Sequence, residues 1–266
     1  MGGVIMKKKF LITVWFILMS GFISTCVYAH SLWLIVNNYN PCVGQEIVIK
    51  IGWGHKFPVD DQPPAKMVEK MNLFLLDPQE NKIPLSIKPK GKKGVKPIKV
   101  KLNEKGTYLV VLVMKTFVSK TIEGYFFKPK NELKNVLKSF LYQAVAKAII
   151  NVNGPRGSSY KKWLGYTLEI VPLKNPASIK EGEFLPLYSF LNGKPTKTWI
   201  YATYAGFSNL ENTFAWTTKP DKNMIAKVKI LKKGIWLVNT KVLLPYKDPR
   251  KADEQKLIST LTFKIN

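Results

Sequence analysis

From residue 31 onward the sequence is a succession of short apolar or alternating runs, each closed by Gly, Pro, Asn or Asp. Residues 32–36 are apolar and end at Asn37-Asn38-Tyr39-Asn40-Pro41. Residues 45–51 alternate, which is the period-two signature of a half-buried strand. Runs 71–76 and 108–114 follow, bounded by Asp77-Pro78 and Glu104-Lys105-Gly106. Later come 166–171, 183–191, 198–204, 224–230 and 235–243, with turns at Asn192-Gly193-Lys194-Pro195 and Lys232-Lys233-Gly234. Short strands at this spacing predict a mainly β chain. The expected architecture is two β-sandwich domains, 30–172 and 173–266, the second immunoglobulin-like or transthyretin-like.

Residues 131–150 break the rhythm. Leu133, Val136, Leu137, Phe140, Leu141, Ala144, Val145, Ala148 and Ile149 fall at i, i+3, i+4 and i+7 spacing. That pattern predicts one amphipathic helix packed on the first domain. Asn131 can cap its start and Asn153-Gly154-Pro155 can end it.

The first 29 residues carry a different message. Lys7, Lys8 and Lys9 precede an apolar run from Phe10 to Met19, and Val27-Tyr28-Ala29 has the small-x-small form of a cleavage site. This order of segments predicts a cleaved secretory signal peptide. The run is shorter than the roughly 20 residues of a spanning helix. Residues 23–26 loosely resemble a lipidation box at Cys26, although Thr25 is a poor residue before a lipidated cysteine. The expectation is an exported, periplasmic protein, soluble after cleavage and beginning at His30.

Composition then narrows the chemistry. With 42 Lys plus Arg against 17 Asp plus Glu, the chain carries +25, and loss of the three leader lysines leaves +22. Only Arg156 and Arg250 are arginines, whereas nucleic-acid readers favour the planar Arg fork. No nucleic-acid partner is therefore expected. Two Cys and two His exclude zinc ribbons, iron–sulfur clusters and a disulfide scaffold. No Gly-x-Ser-x-Gly, phosphate loop or Cys-x-x-Cys is present. After cleavage Cys42 is the sole cysteine, and a buried inert thiol is its expected state.

Cleavage after Ala29 makes the scarcity of histidine informative. His30 then offers an α-amine and an imidazole, which chelate one ion together, and His55 adds a third nitrogen. Such a histidine brace suits divalent nickel, cobalt and copper, copper most strongly by intrinsic affinity. His55 lies in Gly52-Trp53-Gly54-His55-Lys56-Phe57-Pro58, followed by Asp60 and Asp61 as the nearest carboxylates. If 32–36 and 45–51 pair as neighbours, the two histidines meet. Candidate metal residues are thus His30, His55 and, as a supplement, Asp60.

Several segments together resemble one family. They are Ala29-His30-Ser31-Leu32-Trp33-Leu34, the glycine-histidine segment 52–58, Tyr142 with Lys147-Ala148, and Leu168-Glu169-Ile170-Val171-Pro172 leading to Asn175-Pro176. Asn192-Gly193-Lys194-Pro195 and Gly234-Ile235-Trp236-Leu237-Val238 complete the pattern. It is similar to the NikM-like family of exported periplasmic nickel/cobalt-uptake components, a domain-of-unknown-function family. The resemblance implies two β-rich domains, transition-metal handling at His30 and His55, and service to a membrane metal transporter. Residues 217–223 lack the glycine usual in that turn, and Cys42 has no counterpart in the pattern. Two other classes stay open: a copper histidine-brace oxidase or monooxygenase-like enzyme, and a β-sandwich adhesion or carbohydrate-binding protein without metal.

Overall fold

A computed structural model describes residues 30–266. The expected signal peptide, residues 1–29, and Cys26 within it lie outside the described residues. The chain is mainly β. Sixteen strands among the described residues form three sheets: β1 (Ser31–Val36), β2 (Glu46–Gly54), β3 (Met71–Leu76), β4 (Lys82–Leu85), β5 (Ile98–Lys101), β6 (Gly106–Thr121), β7 (Gly124–Phe126) and β8 (Val136–Val152) come first. They are followed by β9 (Leu168–Pro172), β10 (Phe184–Leu191), β11 (Lys194–Pro195), β12 (Ile200–Tyr204), β13 (Trp216–Thr218), β14 (Ala226–Lys229), β15 (Gly234–Pro245) and β16 (Glu254–Ile265). The single α-helix among the described residues is the one-turn α1 (Ala65–Val68).

The central sheet runs β13-β12-β15-β16-β8-β6-β3-β4, with β7 attached to β6. It draws strands from both sides of residue 172, joined by the parallel pairing of β8 with β16. The two expected halves therefore share one continuous hydrogen-bonded sheet. A three-stranded sheet, β1-β2-β5, covers one face, and β9, β10, β11 and β14 cover the other. Side chains sort accordingly. Tyr108, Val110 and Leu112 of β6 pack with Leu32, Ile47 and Ile49 in one core. Leu109 and Val111, one residue out of phase, pack with Ile170, Leu187 and Val228 in the other.

The helix expected over 131–150 is instead strand β8, hydrogen bonded to β6 along nearly its whole length. The misreading has a physical cause. A strand covered on both faces has apolar residues at almost every position, and such a run fills a helical template as readily as a strand one. In β8, Tyr142, Ala144, Ala146, Ala148 and Ile150 face one core, while Val145 and Ile149 face the other.

Polar groups that enter these layers are paired. Lys147 of β8 and Glu169 of β9 are both fully buried, with Nζ 2.6 Å from Oε1. Glu169 also accepts the backbone N–H groups of Leu164 and Tyr166. Thr107, Asn151 and Asn175 form a second buried cluster, with Asn175 Nδ2 donating to Asn151 Oδ1 at 2.8 Å. These residues account for two of the segments singled out in the sequence, Lys147-Ala148 and Leu168-Glu169 through Asn175-Pro176. Each ties a covering segment to the central sheet.

Candidate metal site

The hairpin of β1 and β2 builds the site. Antiparallel pairing places Ser31 opposite Gly54, so one further step sets His30 opposite His55. Their ring centroids are 4.5 Å apart, inclined at 41°. The meeting inferred from the sequence is thus a consequence of strand register.

Three side chains of the central sheet hold the start of β1 in place. Tyr142 donates its hydroxyl to the His30 carbonyl at 3.0 Å. Thr260 donates to the Leu32 carbonyl at 2.7 Å, and Asn239 Nδ2 donates to Ser31 Oγ at 3.2 Å. The His30 ring then stacks on Trp53, nearly parallel at 5.2 Å. Trp53 in turn contacts Tyr142.

Two glycines make the other wall possible. A Cβ on Gly52 would lie 2.0 Å from Trp33 Nε1, which donates to the Pro58 carbonyl. Gly54 has φ +139°, and a Cβ there would lie 2.2 Å from Asp60 Oδ2. The open space over Gly54 admits the Asp60 carboxylate, whose Oδ2 accepts the backbone N–H groups of His55 at 2.5 Å and Lys56 at 3.0 Å. Burial pushes the Asp60 carboxyl up, but those two N–H donors and the Lys56 ammonium outweigh it, and the net shift is downward. Asp60 therefore acts as the clamp of the 55–60 loop. Asp61 bridges to Trp53 through the backbone and pairs with Lys93 at 3.3 Å.

The second half of the chain supplies a residue that sequence reasoning missed. Asn212, in the loop between β12 and β13, donates its N–H to the His55 carbonyl at 3.0 Å. Its Oδ1 lies 3.2 Å from His55 Nδ1. In the tautomer with the proton on Nδ1, this contact leaves the Nε2 lone pair free, the arrangement that orients a ligating imidazole. No spacing signal connects positions 55 and 212. Burial and the neighbouring His55 depress the His30 pKa, against the opposing pull of Asp61, Asp60 and Glu211. The downward shift favours the neutral ring, the form that can bind a metal.

Among the described residues no group of three or more His, Cys, Asp or Glu side chains is arranged to hold a metal ion. The side-chain donors at the site are two imidazoles. Cys42 lies beyond the far end of the hairpin, about 20 Å away at ~3.3 Å per strand residue. It is exposed rather than buried, because it sits in the turn where its N–H meets Gln45 Oε1.

Fold and site together define an all-β, layered-sheet protein with a paired-histidine cleft at the mouth of its first hairpin. The chain belongs to the family described as domain of unknown function DUF4198, which it matches over residues 27–243. No curated protein matches it. Among solved structures it is similar to Salmonella α2-macroglobulin reacted with methylamine, at 10% identity and TM-score 0.24. That match covers 88% of this chain and 15% of the other, so the chain spans a small fraction of that protein. It is also similar to fibronectin(III)-like modules of Clostridium thermocellum CbhA, at 8% identity and TM-score 0.21, covering 88% and 94% of the two chains. No helix among the described residues is long and apolar enough to cross a membrane.

Proposed function

We propose that this chain is an exported, periplasmic protein that binds a divalent transition metal for uptake, nickel or cobalt by its NikM-like resemblance and copper by ligand chemistry. The observation that carries this reading is the 4.5 Å approach of the only two histidines that remain after cleavage at Ala29. The donor set suits such a cargo. The His30 ring, a His55 ring positioned by Asn212 and the α-amine freed by cleavage supply three nitrogens, a set preferred by nickel and copper over calcium or magnesium. Asp60 contributes by holding the loop that carries His55. Both histidines are partly exposed, and a membrane transporter would take the ion from there.

Local ligands supply the affinity. A net charge of +22 repels cations, yet screening confines that field to about 8 Å at physiological salt. The test is calorimetric titration of Ni(II), Co(II) and Cu(II) into the exported protein, its His30→Ala form and its His55→Ala form. One-to-one binding by the wild type and its loss in both variants is expected; equal binding by all three proteins refutes the reading. Reductant-dependent peroxide production by the copper-loaded protein would assign it to the oxygen-activating class instead.

A further inference from the structure

A cavity of about 330 Å³ is lined by His30 but not by His55. That is within the range of about 300–1,000 Å³ typical of small-molecule sites. Its walls are apolar and largely aromatic: Trp53 of β2, Met67 of α1, Phe127, and Phe140 and Tyr142 of β8. A hydrated metal ion has no use for such walls. The cavity thus calls for an occupant with an organic body.

Two charged side chains also line it: Asp61, which is already paired with Lys93 at 3.3 Å, and Lys256. Lys256 of β16 is only 6% exposed and lines the cavity. Its Nζ rests 3.7 Å from the centre of the Phe140 ring. Among the described residues no hydrogen-bond acceptor or ion-pair partner meets that ammonium. The nearest acid in sequence, Glu254, is 3.4 Å from the ammonium of Lys138 instead. The stem is buried and the ammonium faces the cavity, where an anion could pair with it. Burial pushes its pKa down, helped by Lys138 and opposed by Glu254.

We propose that the cavity binds a small monocarboxylate with an apolar, ring-bearing body, its carboxylate paired with Lys256 and its ring stacked among Trp53, Phe140 and Tyr142. A single ammonium matches a monoanion. Phosphate is ordinarily gripped by arginine forks or clustered backbone N–H groups, and neither arginine of the chain lines the cavity. Aromatic walls favour a ring, through offset or edge contacts that add to area burial. The site stands whether or not a metal occupies the histidine pair, because His30 is the only one of the two that borders it.

The test uses metal-free protein, stripped with EDTA, and two probes that share a phenyl ring on a short chain, one ending in a carboxylate and the other in a neutral hydroxyl: 3-phenylpropionate and 3-phenylpropan-1-ol. Calorimetry should show the carboxylate binding roughly tenfold or more tightly than the alcohol, as expected for one charge-assisted hydrogen bond in a sheltered site. Lys256→Met, which keeps an unbranched stem one atom shorter and removes the charge, should abolish that preference while leaving Ni(II) binding intact. Phe140→Trp, which adds ring volume to the cavity, should weaken both probes even if the lysine variant fails to fold. Absence of saturable binding of either probe by the wild type overturns the proposal. Undiminished carboxylate affinity in folded Lys256→Met does so as well. Because the metal is absent throughout, failure here is distinct from failure of the metal reading.

Discussion

Glu169→Gln isolates the buried ion pair that fastens β9 to the central sheet. Both partners are fully buried, and their 2.6 Å contact is supplemented by two backbone donors to Glu169. Glutamine keeps the shape and one acceptor oxygen but leaves the Lys147 ammonium without its counter-charge. Breaking a pair of this kind costs about 3–5 kcal/mol. For a chain of this size that is a fall in Tm of roughly 6–20 °C. The deficit should depend on pH. Burial already depresses the Lys147 pKa, and Glu169 is the only group that opposes the shift. Without it the folded state binds fewer protons than the unfolded state, so stability rises as pH increases toward the unfolded lysine value near ~10.4. Thermal melts of wild type and variant at pH 7 and pH 9.5 measure this directly. The gap should be wide at pH 7 and narrower at pH 9.5. A variant as stable as wild type at pH 7, or a gap unchanged between the two pH values, refutes the reasoning.

Other perturbations probe the site. Gly54→Ala places a Cβ 2.2 Å from Asp60 Oδ2 at a φ of +139°, so it should cost about 1–3 kcal/mol and weaken metal affinity together, read by melts and titration. Asn212→Ala should lower metal affinity about 10–100-fold without unfolding the protein, because it removes the group that orients His55. His30 has a depressed folded pKa, so in the metal-free protein its contribution to stability is present above ~6.5 and is lost as pH falls through the folded value. His30→Gln should flatten that acid limb of the stability profile; an identical acid limb would count against a depressed His30 pKa.

Much of the hairpin that carries the site was legible in sequence. Asn37 to Pro41 turn the chain between an apolar run and an alternating one, and antiparallel pairing of those runs brings position 30 to position 55. The mainly β class followed from the same punctuation. Strand β8 was not legible, because burial on both faces erases the alternation that marks a strand. The central sheet escaped for a related reason: the parallel pairing of 140–148 with 254–262 joins segments more than a hundred residues apart, and periodicity carries no information on partners. Asn212, Thr260 and Asn239 support the site from that same distance. The sequence offers Asp60 as a supplementary ligand because it is the nearest carboxylate; that its Oδ2 also caps two N–H groups, over the bare backbone of Gly54, needed the folded loop. Lys147 and Glu169 stood within the recognised segments, but their pairing needed the layer geometry.

The claim that the two histidines and the freed amine act as one ligand set is tested most directly by electron paramagnetic resonance of the Cu(II)-loaded protein with His30 as its first residue. Nitrogen hyperfine structure should report three coordinating nitrogens, falling by one in His55→Ala and again when the amine is acetylated. A spectrum unchanged by either alteration would contradict a metal site at His30 and His55.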